Sequence, residues 1–78
     1  MSSRLPVISG RECCNALRKV GFQELPGRGK GSHLFLFCSN PPTAMTVPNH
    51  RELKRGMLRA IIRQAGLTVE EFLKAIES

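Results

Sequence analysis

A chain of 78 residues and 8.7 kDa has room for one small domain, which excludes a second domain or a cofactor enclosed in a deep fold. Folding at this size buries only about 60% of the surface exposed by the unfolded chain, so the 41% hydrophobic content must form one thin core between two packed layers. Twelve Lys and Arg stand against six Glu and no Asp, and Arg28, Lys30, Arg51, Lys54, Arg55, Arg59 and Arg63 against Glu52 alone place the whole net charge of +6 between residues 27 and 63; a polyanion, nucleic acid first, fits such a block better than a small neutral substrate, although a merely soluble basic surface has the same composition.

Ser9-Gly10-Arg11-Glu12 is a capping box, and it predicts a first helix over about residues 9–20. Cys13, Ala16, Leu17 and Val20 form its apolar stripe, and Gly21 supplies a left-handed residue at its end. Phe22–Leu25 is a short mixed segment, Pro26–Gly31 is turn chemistry, and residues 33–38 are a dense strand candidate, so a hairpin is expected. Asn40-Pro41-Pro42 interrupts, since two prolines remove two donors, and Ala44–Val47 forms a third strand that Pro48 terminates.

From Arg55 onward the helical period returns in Leu58, Ile61, Ile62 and Ala65, with Gly66 closing the helix and Arg55, Arg59 and Arg63 on its other side. Thr68-Val69-Glu70-Glu71 is a second capping box, opening a short helix to about Ile76 through Val69, Phe72, Leu73 and Ile76. The expected fold class is α+β: α-β-β-β-α with a three-stranded antiparallel sheet, residues 33–38 in its middle, a short C-terminal helix, and the helices on one face of the sheet. One domain over residues 1–78 is expected, with residues 1–8 flexible.

Cys13, Cys14 and Cys38 are odd in number and lack C-x-x-C spacing, so they read as buried free thiols of a reducing compartment. The N-terminal MSSRLPVISG has no continuous apolar core, and nowhere do 18 consecutive apolar residues occur. The expectation is a cytoplasmic protein without a membrane partner.

The loop Gly27-Arg28-Gly29-Lys30-Gly31-Ser32-His33 combines three glycines, two cations, a hydroxyl and an imidazole where the middle strand begins. Such a loop suits a phosphate, because glycines let backbone N–H groups approach an anion and Arg28 and Lys30 add charge-assisted hydrogen bonds; an ordinary glycine-rich turn has the same composition. A nucleotide P-loop is excluded, since Lys30 is separated from Ser32 by Gly31 and a strand follows in place of a helix. Without Asp, a two-metal nuclease would need scattered Glu residues, so no metal and no cofactor is expected.

His33 and His50 are then the candidate proton-transfer groups, imidazole being the side chain that titrates near neutrality. RNA supplies its own nucleophile in the 2′-OH, so one positioned imidazole beside cations is sufficient chemistry; a lone histidine opening a strand is more often a satisfied structural or surface residue. Alternation along the middle strand puts His33, Phe35 and Phe37 on one face and Leu34, Leu36 and Cys38 on the other. Helices can cover only one, which leaves either the phenylalanines in the core or an open face carrying His33 with Phe35 and Phe37 as a stacking or docking patch. The link Pro48–Gly56 brings His50, Arg51, Lys54 and Arg55 to a helix N-terminus, where positive charge is unfavourable unless an anion binds.

Gly31-Ser32-His33 on a strand, Thr46-Val47-Pro48-Asn49-His50, the run Leu58–Leu67, and Gly21-Phe22 after an N-terminal helix occur here in order. With them the chain resembles the HicA-type toxins of bacterial HicAB toxin–antitoxin systems, from residue 9 to about 73. The resemblance implies a double-stranded-RNA-binding-domain-like fold, a ribosome-independent mRNA interferase activity, and inhibition by a HicB-type antitoxin that covers the active site. It carries the family's catalytic histidine to His33, and its P-x-H histidine to His50 as a substrate contact or second acid/base group. Two departures stand out: Arg51, where a glycine is frequent, adds a cation, and Met57, in place of a threonine, weakens N-terminal capping of the basic helix.

The function expected on these grounds is a metal-independent endoribonuclease acting on mRNA. His33 is its catalytic residue, Arg28 and Lys30 hold the scissile phosphate, Lys54, Arg55 and Arg59 guide the backbone, and Gly31, Ser32 and His50 are further substrate-binding residues. A non-catalytic RNA-binding module, or a protein-binding element anchored by Phe35 and Phe37, are the alternatives from other classes.

Overall fold

A computed structural model describes residues 5–25 and 33–78. The elements are α1 (Gly10–Lys19), β1 (Gln23–Glu24), β2 (His33–Ser39), β3 (Pro42–Pro48), α2 (Arg55–Gln64) and α3 (Val69–Glu77). This is the expected α-β-β-β-α order with a further C-terminal helix, and the antiparallel sheet runs β1-β2-β3 with β2 in the middle.

Local chemistry sets the helix ends. Ser9 Oγ accepts the Glu12 N–H at 3.0 Å while Ser9 N–H donates to the Glu12 carboxylate at 2.8 Å, and Thr68 and Glu71 repeat this reciprocal pair at 3.1 and 2.8 Å. Gly21 and Gly66 take φ of +112° and +78° one residue past the caps of α1 and α2, the left-handed conformation that turns the chain out of a helix. Val20, assigned to the stripe of α1 by spacing, is 38% exposed. It is the C-cap, with φ −104° and ψ 16°, so the helical period no longer directs its side chain, and Cys14 joins Cys13, Ala16 and Leu17 on the buried side.

β3 begins at Pro42, earlier than the two prolines suggested, and the Asn40–Pro41 peptide in the preceding turn is cis. Leu25 N–H donates to Phe35 C=O at 2.9 Å, so the odd residues of β2 turn their peptide groups toward β1 and the even ones toward β3. Thr43, Met45 and Val47 oppose those even residues, whereas Pro42 and Pro48 oppose Ser39 and His33. The donors that the two prolines lack would point off the sheet edge, where the ladder has no use for them.

The same register decides which face is covered. Leu34 and Leu36 lie opposite Val47 and Met45, all four buried, and this aliphatic layer packs with Leu17, Leu58, Ile61, Ile62 and Phe72 from the helices. Phe35 and Phe37 lie opposite Thr46 and Ala44 on the other side and are half-buried. Full burial of Leu36, at 0% exposure, is worth roughly 1.5–3 kcal/mol.

Two expectations, the flexible lead-in and the burial of Cys38, meet a different arrangement. From Leu5 onward the lead-in expected to be flexible is a strap: Leu5 and Ile8 are buried, Ile8 C=O accepts Leu53 N–H at 2.8 Å, and Leu5 C=O accepts Arg55 Nε–H at 3.3 Å. Cys13 and Cys14 are buried, and desolvation pushes the Cys13 thiol up to about 12 and that of Cys14 upward. Cys38 is only half-buried, one residue from the end of β2. The thiols carry no disulfide among the described residues.

Gly10 is where strap, helix and sheet meet. Its N–H donates to His50 C=O at 2.8 Å, and a Cβ built on it would run into the Pro48 carbonyl oxygen and sit 3.0 Å from Asn49 Cα. Backbone atoms cannot swing aside as a flexible side chain can. Gly10→Ala is therefore expected to cost about 1–3 kcal/mol by forcing α1 away from residues 48–50. Thermal unfolding should show a midpoint lowered by roughly 5–20 °C, and an unchanged midpoint would contradict the close approach.

Candidate functional site

The β2–β3 pairing sets His33 opposite Pro48. This is a pair without mutual hydrogen bonds, so the two Cα atoms lie about 4.5 Å apart, and His50 emerges two residues farther on at the same end of the sheet. Both imidazoles are exposed. The two histidines that sequence singled out, 17 positions apart, thus belong to one end of the sheet.

The segment bearing His50 is fastened from behind. His50 C=O is taken by Gly10 N–H, Leu53 is 2% exposed with its N–H on Ile8 C=O, and the side chains of His50, Arg51, Glu52 and Lys54 face solvent. A backbone held by the strap and a set of outward polar side chains make a preorganised rim. Lys54 is four residues from His50 and so within about 14 Å of it.

α2 begins differently from its neighbours. α1 and α3 each have a hydroxyl cap and Glu12 or Glu71 at the third helical position, whereas α2 has Lys54 as N-cap with no side-chain hydrogen bond and Met57 at the corresponding third position. Met57 is 46% exposed, and no acidic residue occupies the first turn. Lys54 and Arg55 thus sit against the positive end of the helix dipole, while Arg63 in the last turn complements the negative end. Lys54, Arg55 and Arg59 are exposed, but Arg55 also ties the strap through Leu5, so its role is partly structural.

Arg28, Lys30, Gly31 and Ser32 lie outside the described residues. Among the described residues no cluster of three or more His, Cys, Asp or Glu is arranged to hold a metal ion, and no helix is long and apolar enough to cross a membrane. One ion pair among the described residues has a structural role: Arg11 clasps the Glu24 carboxylate with 2.8 and 3.1 Å hydrogen bonds, tying α1 to β1. Those hydrogen bonds hold the Glu24 carboxyl below its usual range and raise the Arg11 guanidinium. An open hollow beside this pair, bordered by Arg18, Phe22 and Glu24, contains neither histidine.

Sequence reasoning read Gly10 only as part of a capping box and so missed that it seats the His50 segment. A signal was present: a glycine inside a helix's first turn, where most residues are better helix formers, points to a close approach.

A family model described as "HicA toxin of bacterial toxin-antitoxin" matches residues 10–67, a span that opens at the first residue of α1 and contains both histidines and all of α2. No curated protein matches the chain.

The uncapped start of α2 gives a direct test. Lys54→Asp supplies a carboxylate acceptor at the N-cap and replaces an unfavourable charge with a favourable one, so it is expected to stabilise the protein by about 0.5–2 kcal/mol. The check is urea unfolding, with a raised midpoint at unchanged slope; a lowered midpoint would contradict the assignment of Lys54 as an electrostatically strained cap.

Proposed function

The chain belongs to the HicA toxin family of bacterial toxin–antitoxin systems, and from that starting point we propose that it is an mRNA-cleaving endoribonuclease that needs no metal ion and depends on His33. The observation that carries the reading is the exposed His33 at the sheet end it shares with the His50 segment, whose backbone is held while its cations face outward.

The chemistry follows from the substrate. An imidazole takes the proton of a ribose 2′-OH, the 2′ oxygen bonds to the adjacent phosphorus, and the bond from phosphorus to the 5′ oxygen of the next nucleotide breaks as that oxygen gains a proton. The products are a 2′,3′-cyclic phosphate and a 5′-hydroxyl. His33 is assigned as the group that accepts or returns the proton, and His50 as a substrate contact or the second proton-transfer group.

Arg28, Lys30, Gly31 and Ser32 directly precede His33 in the chain, and cations and backbone N–H groups of that kind stabilise charge developing on phosphate oxygens. Lys54, Arg55 and Arg59 attract the flanking phosphates, Lys54 and Arg55 at a helix N-terminus that favours an anion. A HicB-type antitoxin is the proposed protein partner, acting by covering this end of the sheet, and the cytoplasm is the proposed location.

Labelled single-stranded RNA and its DNA counterpart, incubated with the protein in EDTA, test the proposal. RNA should be cut and DNA left intact, and His33→Ala should lower the rate by at least about 100-fold. Cleavage that disappears on chelation, or that survives in His33→Ala, would overturn it. RNA that binds without being cut by the unaltered protein would identify a binding module in place of an enzyme.

A further inference from the structure

The face of the sheet away from the helices is built from Gln23 and Leu25 on the β1 side, His33, Phe35 and Phe37 on β2, and Ala44, Thr46 and Pro48 on β3. Among these described residues the imidazole is the one ionisable side chain, in a protein with twelve Lys and Arg. The cations Arg51 and Lys54 follow Pro48 at the His33 end of this face. Charge is therefore separated from apolar surface: cations at the rim, an aromatic platform on the sheet.

An unpaired nucleic acid has the matching division, phosphates on its backbone and flat apolar faces on its bases. A second copy of this chain would set cation against cation at a net charge of +6 each, and duplex RNA keeps its base faces stacked inside the helix. Phe35 is the ring next to His33. Two residues along an extended strand separate their Cα atoms by about 6.7 Å on the same face. Phe35 is half-buried, flanked across the sheet by Leu25 and Thr46, on the face opposite the buried Leu34 and Leu36.

Resting on the ribonuclease reading above, we propose that Phe35 is a positioning residue of that site: an unpaired base of the substrate stacks on its ring and so presents the neighbouring ribose and phosphate to His33. The site then selects single-stranded over duplex RNA through the sheet face and tolerates many sequences, because every base has a flat face.

The absence of Trp and Tyr makes the test clean. Phe35→Trp carries a single indole, and titration with 2′-O-methyl RNA, which lacks the attacking hydroxyl, should quench its fluorescence saturably; a duplex of the same sequence should not. Phe35→Leu, which keeps apolar bulk but loses the ring, should bind the single-stranded 2′-O-methyl RNA at least about fivefold more weakly, with its thermal midpoint kept within a few degrees. RNA that binds by anisotropy of a labelled strand without quenching the indole, or equal affinity of Phe35→Leu and the unaltered protein, would overturn the stacking while leaving the ribonuclease reading intact. Equal quenching by duplex would overturn the single-strand selection. Loss of binding to an acidic protein partner in Phe35→Leu, with RNA affinity kept, would reassign the face to protein docking, and failure of the unaltered protein to bind or cut RNA would remove both readings.

Discussion

The middle strand carries large apolar side chains on both faces, and the chain has only enough helix to cover one. Everything else is arranged around that constraint. Leu34 and Leu36 go inward because β3 offers Val47 and Met45 opposite them, while Phe35 and Phe37 meet Thr46 and Ala44 and stay at the surface. One residue of slippage in either strand would exchange the two sets and leave the helices packed on Thr46 and Ala44. The exposed His33 and the buried Leu34 are therefore consequences of one register.

That register would not by itself hold the His50 segment, which has left the sheet. The strap from Leu5 to Ser9 does so, through Ile8 and Leu53, Leu5 and Arg55, and the seam of Gly10 with His50. These bonds are made by backbone or by Arg55, which leaves the side chains of His50, Arg51 and Lys54 outward. The arrangement has a cost at the start of α2, where two cations and no cap oppose the helix dipole. α1 and α3, with full capping boxes, show what a start optimised for stability looks like in the same chain. The proposed phosphate contacts account for the difference: charge unfavourable to the folded protein alone is favourable once an anion is bound.

Much of the fold was legible because its signals are local. Ser9 with Glu12, Thr68 with Glu71, and the glycines at 21 and 66 each act within a few residues, and the element order followed from them. What was not legible depends on partners distant in sequence. Pro42 looked like a strand breaker until the sheet showed that its missing donor faces outward, and Leu5 and Ile8 gave no periodicity because a strap has none. The choice between the two faces of β2 was open along that strand alone, although the alternation of Met45 and Val47 with Ala44 and Thr46 already contained the answer. For the site, hairpin pairing was enough to bring His33 and Pro48 together, and the family resemblance is matched by a family model over residues 10–67. The seat of the His50 segment on Gly10 was hidden, because a glycine states that something comes close without stating what.

The central claim is that the protein leaves the nucleophile to the substrate and supplies His33 to move its proton. Replacing the ribose at one mapped cleavage position by 2′-deoxyribose, in an otherwise unchanged RNA, tests this most directly. The proposed chemistry predicts that cleavage stops at that bond alone, continues at the others, and leaves 2′,3′-cyclic phosphate ends wherever it proceeds. Cutting at the deoxy position would contradict it, since the attacking oxygen would then have to come from water.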